Sequence, residues 1–209
     1  MNRFQRGAMI ALTAMMAWSG GAQGQVSSEN KAGGKGAVWL EPRVQVRIYA
    51  DQHGTPIIVE AVRGIERALP ARGPRFTITT APTRDCGAVA RETFAQPTIT
   101  ICQNYDYRWD GETNARARHH VIQNRRATVE LNFWGGLDDD DDRNTACHEM
   151  MHAVSWVRDN PKAKRKSCVQ GSMTKPGRWD VQYLERVYQR HDTKAKRDKH
   201  RRRGHHGRR

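Results

Sequence analysis

The stretch TACHEMMHAVSWVRDN, Thr145 to Asn160, constrains this chain more than any other. It sets His148 and His152 four residues apart, with Glu149 directly after the first. On an α-helix that spacing puts both imidazoles on one face, one turn apart, where they can share an ion at about 2.1 Å. Glu149 borders the same face, within reach of a water held there. Ala146, Met150, Ala153, Val154 and Val157 fall on the opposite side and need a core to pack against. That side of the helix would pack into the core. The chain's 209 residues suffice for one domain with such a core.

The two ends read differently from the middle. Arg3 and Arg6 precede an apolar run from Ala8 to Trp18, and Ala22-Gln23-Gly24 offers small residues for cleavage before Gln25. Residues 1–24 thus read as a secretory signal, the apolar run being too short for a membrane span. No later stretch is long or apolar enough to cross a bilayer. Residues 25–37 are rich in Gly, Ser and Lys, a flexible leader. At the other end, Thr193 to Arg209 carries nine Lys or Arg and one Asp, and so +8 of the formal +14. With no apolar anchor it reads as a disordered basic tail, either merely solvated or in contact with an anionic polymer.

Export would place Cys86, Cys102, Cys147 and Cys168 in an oxidising compartment, where an even count points to two disulfides. Three pairings exist. Proximity favours Cys86 with Cys102 and Cys147 with Cys168.

Between the ends, VQVRIYA (Val44 to Ala50) alternates as a half-buried strand does. In the segment that follows, Thr55 can cap a helix, Pro56 suits its first position, and Ile58, Val62, Ile65 and Leu69 share a face. RFTITTA, PTITICQ and ATVELNFW (Arg75–Ala81, Pro97–Gln103 and Ala127–Trp134) read as further strands. The span between the last two, containing Asp110-Gly111, reads as polar and irregular. Asp138 to Asp142 precede the motif helix and suit the positive end of its dipole. A calcium site is the competing reading, although five consecutive Asp lack the alternating spacing of a calcium loop. Val181, Leu184, Val187 and Tyr188 mark an amphipathic last helix. The order of strand, helix, strands and helix gives an α+β, or mixed α/β, domain over residues 38–192.

A hydrolytic zinc site takes three protein ligands and a water. On an uninterrupted helix Asp159 would lie about 10.5 Å beyond His152 along the axis, too far for a shared ion. It becomes a ligand if the chain turns back near Ser155 to Arg158, and Asn160-Pro161 disfavours helix just beyond. Asp180, Glu185 and His191 of the last helix are alternatives, as is the absence of a third protein ligand.

Cys147-His148-Glu149-Met150-Met151-His152, then Cys168 and Met173, then WDVQYLERVYQRHD together resemble the matrixin-like metzincins, secreted zinc endopeptidases of bacteria and fungi. In the last segment Asp180, Leu184, Tyr188 and His191 fall at matching intervals; TITICQNYDY and ATVELN resemble two of the family's strands. The resemblance implies a twisted four- to five-stranded sheet on two main helices with a C-terminal helix beyond. It implies Zn²⁺ on His148 and His152, Glu149 as general base, Met173 as the Met-turn residue, and a Cys147–Cys168 bridge. It also implies a peptide or protein substrate laid along an edge strand, here Ala127–Trp134. The family's third histidine falls on Arg158 and its glycine on Ser155; an arginine has no lone pair for a metal.

The expectation is a secreted, monomeric zinc endopeptidase with His148, His152 and Asp159 as ligands. The alternative is a catalytically weak or inactive secreted binding protein of the same fold whose tail holds a polyanion.

Overall fold

The computed structural model of the chain describes residues 38–104, 111–118, 121–133, 139–155, 157 and 166–191. The expected signal, leader and basic tail lie outside these residues, as do Arg158 and Asp159.

The elements run β1 (Arg43–Tyr49), α1 (Gly54–Ala68), β2 (Arg75–Ala81), α2 (Cys86–Arg91), β3 (Thr98–Asn104), β4 (Gly111–Arg118), β5 (Val121–Asn132) and α3 (Asp139–Ser155). A final helix, α4, spans residues 178–191. The five strands form one sheet in the order β2-β1-β3-β5-β4. The first four are mutually parallel, and β4 closes the row antiparallel to β5. The domain is mixed α/β, as the order of patterns requires.

Strand alternation decides which face of the sheet holds the core. Val44, Val46 and Ile48 of β1, Ile99 and Ile101 of β3, and Ala127, Val129 and Leu131 of β5 are all buried on one side. Both long helices pack there and touch one another. The face of α1 is Ile57, Ile58, Ala61, Val62 and Ile65. α3 goes further, since Ala146, Cys147 and every residue from Glu149 to Ser155 are buried. A helix enclosed on nearly every side is held in place by its neighbours, so a side chain on it has little freedom to drift.

On the opposite face the smaller helix α2 covers part of the sheet, where Val89 packs with Tyr49, Cys86 and Cys102. Both disulfides are formed, Cys86–Cys102 here and Cys147–Cys168 beside the motif. Two disulfides point to an oxidising, extracellular-type environment. No helix among the described residues is long and apolar enough to cross a membrane.

Three expectations need correction. The polar stretch after β3 contains the strand β4, which patterning misses because GETNARAR has no alternating apolar side; backbone pairing with β5 holds it. The strand expected at Ala127–Trp134 begins at Val121 and is flanked by β3 and β4, so it is interior and cannot be the edge along a cleft. Thr55 is not the cap of α1. The helix begins at Gly54, whose N–H donates to the Asp51 carboxylate at 2.6 Å, while the Thr55 hydroxyl donates to the Asp51 carbonyl at 2.7 Å.

The acidic run behaves as the dipole argument requires, with Asp139 to Asp142 forming the first turn of α3. Asp142 is also buried, 3.5 Å from His53 Nε2 at the start of α1. Burial pushes its carboxyl up to about 6, against the pull of His53. The folded protein then holds this proton through a range where the unfolded chain has lost it, so stability should fall as pH rises from about 4 to about 6. Asp142→Asn should flatten that slope and stabilise the neutral protein by about 1–2 kcal/mol, discounted for solvent and for His53. Urea melts at the two ends of the range measure this; an unchanged slope in the variant would refute the assignment.

Candidate metal centre

His148, Glu149 and His152 come together on α3, their ligand atoms all within 4.8 Å of one another. The two histidine Nε2 atoms lie 3.1 Å apart, and Glu149 Oε1 lies 3.8 Å from His148 Nε2. His152 and Glu149 are buried and His148 is half-buried, so the group is enclosed but not sealed.

What lies behind the rings fixes which nitrogen is which. His148 Nδ1 is 3.3 Å from the Cys168 carbonyl, and His152 Nδ1 is 2.8 Å from the Val157 carbonyl. A carbonyl only accepts, so in both rings Nδ1 carries the hydrogen and donates it. In the neutral rings both Nε2 atoms then present lone pairs to the same point. Two lone pairs at that separation repel unless a cation or a shared proton sits between them. Tetrahedral ligands about 2.1 Å from one ion stand about 3.4 Å apart, close to the spacing seen. The donor set therefore fits a divalent metal, with the second hydrogen bond on each ring that such ligands normally have.

The carbonyl behind His148 is itself anchored. Cys168 is bridged to Cys147, the neighbour of His148. Asn144, one turn before His148, donates from Nδ2 to the Met173 carbonyl at 2.8 Å and to the Cys168 carbonyl at 3.4 Å. The Asp180 carboxylate, fully buried in the first turn of α4, accepts from Ser167 Oγ at 2.5 Å, Cys168 N at 3.0 Å and Gly177 N at 2.8 Å. Gly177 has no alternative, because a Cβ there would stand 2.1 Å from the Lys166 carbonyl oxygen.

The end of α3 is also held. Trp39 Nε1 donates to the Ala153 carbonyl, Tyr188 Oη to that of Val154, and Ser155 Oγ to that of Met151. Helix stops at Ser155, and two residues later the Val157 carbonyl has folded back against His152. Asp159 and Arg158 lie outside the described residues.

Among the described residues no further His, Cys, Asp or Glu joins the group. Asp180 is no ligand, because its oxygens are taken by the loop. Met173 sits in that loop, half-buried against the core. Glu149 has a neighbour that sequence reasoning passed over: a Cβ on Gly111, the first residue of β4, would stand 3.0 Å from Glu149 Cγ. Asn144 was equally missed, although its place four residues before His148 puts it on the same helical side. Comparison with protein-family models, with curated proteins and with solved structures gave no match.

Removing the Asp180 carboxylate strands three buried donors. Asp180→Ala should cost about 3–5 kcal/mol, and Asp180→Asn, which keeps one acceptor, less. Thermal denaturation of the two variants checks the order; equal losses would mean that the hydrogen bonds do not set the cost.

Proposed function

We propose that this protein is a secreted zinc-dependent endopeptidase, with His148 and His152 as ligands and Glu149 as the general base. One observation carries the reading: a buried imidazole, His152, and a half-buried one, His148, each with Nδ1 against a carbonyl, bring their Nε2 atoms within 3.1 Å of one another beside the buried Glu149 carboxylate. A structural histidine pair has no need of that convergence. It is also the arrangement that the resemblance to the matrixin-like metzincins calls for.

Zinc held by these residues supplies Lewis acidity toward a peptide carbonyl and a nearby water. The chain's own groups do the rest. Glu149 takes a proton from the attacking water and returns it to the leaving amide nitrogen. Its burial strengthens that exchange by keeping bulk water out. The ring hydrogens on Nδ1 stay with the Cys168 and Val157 carbonyls, which holds both Nε2 atoms in the ligand form.

Asp159 provides the third ligand in this reading. The bounds of α3, which ends at Ser155, and the Val157 carbonyl against His152 support a chain that does not continue as a straight helix toward Asp159. Substrate binding follows from the corrected sheet order. β4 is the terminal strand among the described residues, and its first residue packs on Glu149. An extended peptide added to β4 runs past the carboxylate, its backbone paired and its side chains alternating.

Metal analysis of the purified protein should find one zinc per chain, lost in His152→Ala and weakened in Asp159→Asn. Because ligation needs neutral imidazoles, zinc should also leave as the medium is acidified. Hydrolysis of a denatured protein substrate should stop with chelator and fall by about 10²- to 10⁴-fold in Glu149→Gln, with zinc still bound. Retained hydrolysis in Glu149→Gln would defeat the mechanism. Bound zinc with no turnover of any peptide would leave a metal-stabilised binding protein instead.

A further inference from the structure

A buried chain of hydrogen bonds runs from the first turn of α4 to the ring of His148. At its middle stands Ser167, fully buried in the loop before α4. Ser167 Oγ donates to Asp180 Oδ1 at 2.5 Å and accepts from Val169 N at 3.0 Å and Gln170 N at 2.8 Å. A hydroxyl has one hydrogen and two lone pairs, so all three are committed. Val169 N belongs to the same peptide group as the Cys168 carbonyl, and that carbonyl lies 3.3 Å from His148 Nδ1. In a planar trans peptide the N–H and the C=O point in opposite directions. One end of this group therefore rests on Ser167 and the other on the histidine.

The ends of the chain fix the direction of every hydrogen in it. A carboxylate only accepts and an amide N–H only donates, so the Ser167 hydrogen lies toward Asp180. The carbonyl only accepts, so the ring hydrogen of His148 lies toward Cys168. Bonds aligned head to tail polarise one another, each by about 10–30%. Ser167, Cys168 and Asp180 are fully buried, with Val169 and Gln170 close to it, and in such surroundings a carboxylate charge is poorly screened. Asp180 draws the Ser167 hydrogen, Oγ then pulls harder on the Val169 N–H, and the Cys168 oxygen pulls harder on Nδ1–H. Electron density returned to the ring strengthens the lone pair on Nε2.

We propose that Ser167 is a positioning residue for His148, carrying the influence of the Asp180 carboxylate through the Cys168–Val169 peptide to the imidazole. This role rests on the reading of His148 as a zinc ligand. In the ordinary form of such support a carboxylate or carbonyl alone stands behind a ligating histidine; here a peptide group, a hydroxyl and a carboxylate stand behind it in series. Loop anchoring has other means: the bridge to Cys147, the Asn144 bond to the Met173 carbonyl, and the two amides held by Asp180 Oδ2. The contribution of the hydroxyl is therefore separable from that of holding the loop. His152 supplies an internal reference, since its Nδ1 rests on the Val157 carbonyl instead.

The test uses the full chain. In competition with a chelator of known affinity, Ser167→Ala should bind zinc about tenfold more weakly. In the metal-free protein, the Nδ1–H proton resonance of His148 should move upfield in the variant while that of His152 stays in place. Asp180→Asn, which keeps an acceptor without the charge, should produce the same two changes, and decides the matter if Ser167→Ala does not fold. Unchanged zinc affinity, or movement of both histidine resonances together as a merely loosened loop would give, overturns the proposal. Failure of the unaltered chain to bind zinc would refute the metal reading; the relay is then judged on the His148 resonance alone, and an unmoved resonance overturns it.

Discussion

The carbonyl oxygens of Cys168 and Val157 take the Nδ1 hydrogens of His148 and His152, and the character of the centre depends on those two contacts. With the hydrogens held there, both Nε2 atoms become acceptors 3.1 Å apart. If either carbonyl shifted, that ring could change tautomer and donate to the other, and the convergence of lone pairs would relax into an ordinary hydrogen bond. The elements around the site serve to keep the two oxygens where they are. The Cys147–Cys168 bridge closes a separation of 21 residues, which in the chain-entropy model is worth about 3 kcal/mol. Asp180 gathers three donors from the same loop, and Asn144 ties that loop to the turn of α3 that precedes His148.

Burial does for the helix what the carbonyls do for the rings. α3 is enclosed from Ala146 onward except at His148, with α1 on one side and the sheet on another. Trp39 and Tyr188, distant in sequence, meet its last carbonyls. On the opposite face of the sheet α2 packs on Tyr49 and Cys102, Phe94 lies against Arg47, and Thr98 and Thr100 of β3 are buried.

The parts of this fold legible in sequence are those where burial imposes a period. Ile58, Val62 and Ile65 repeat with the helix, and Val44, Val46 and Ile48 with the strand, because each set must reach one core. β4 was illegible because an edge strand needs partners for its backbone and not for its side chains. α2 was illegible because six residues give no period to read. His53, and not Thr55, stands at the N-cap of α1 and makes no side-chain cap bond; Asp51, three residues before Gly54, takes the free N–H of Gly54 instead, a choice made by the turn and not by the helix pattern.

The candidate centre divides in the same way. Four-residue spacing alone puts His148 and His152 on one side of a helix with Glu149 at its border, because helical geometry is local. Cysteine spacing favoured the pairing that the fold adopts, because short loops close most readily. Tertiary structure decided what each group faces. Asp180, a carboxylate on the right helix, turns to the loop amides and leaves the metal position; Gly111 clears room for Glu149; Cys168 and Val157 set the tautomers. Such contacts join residues 5 to 38 positions apart, and at those separations packing, not local periodicity, selects the partner.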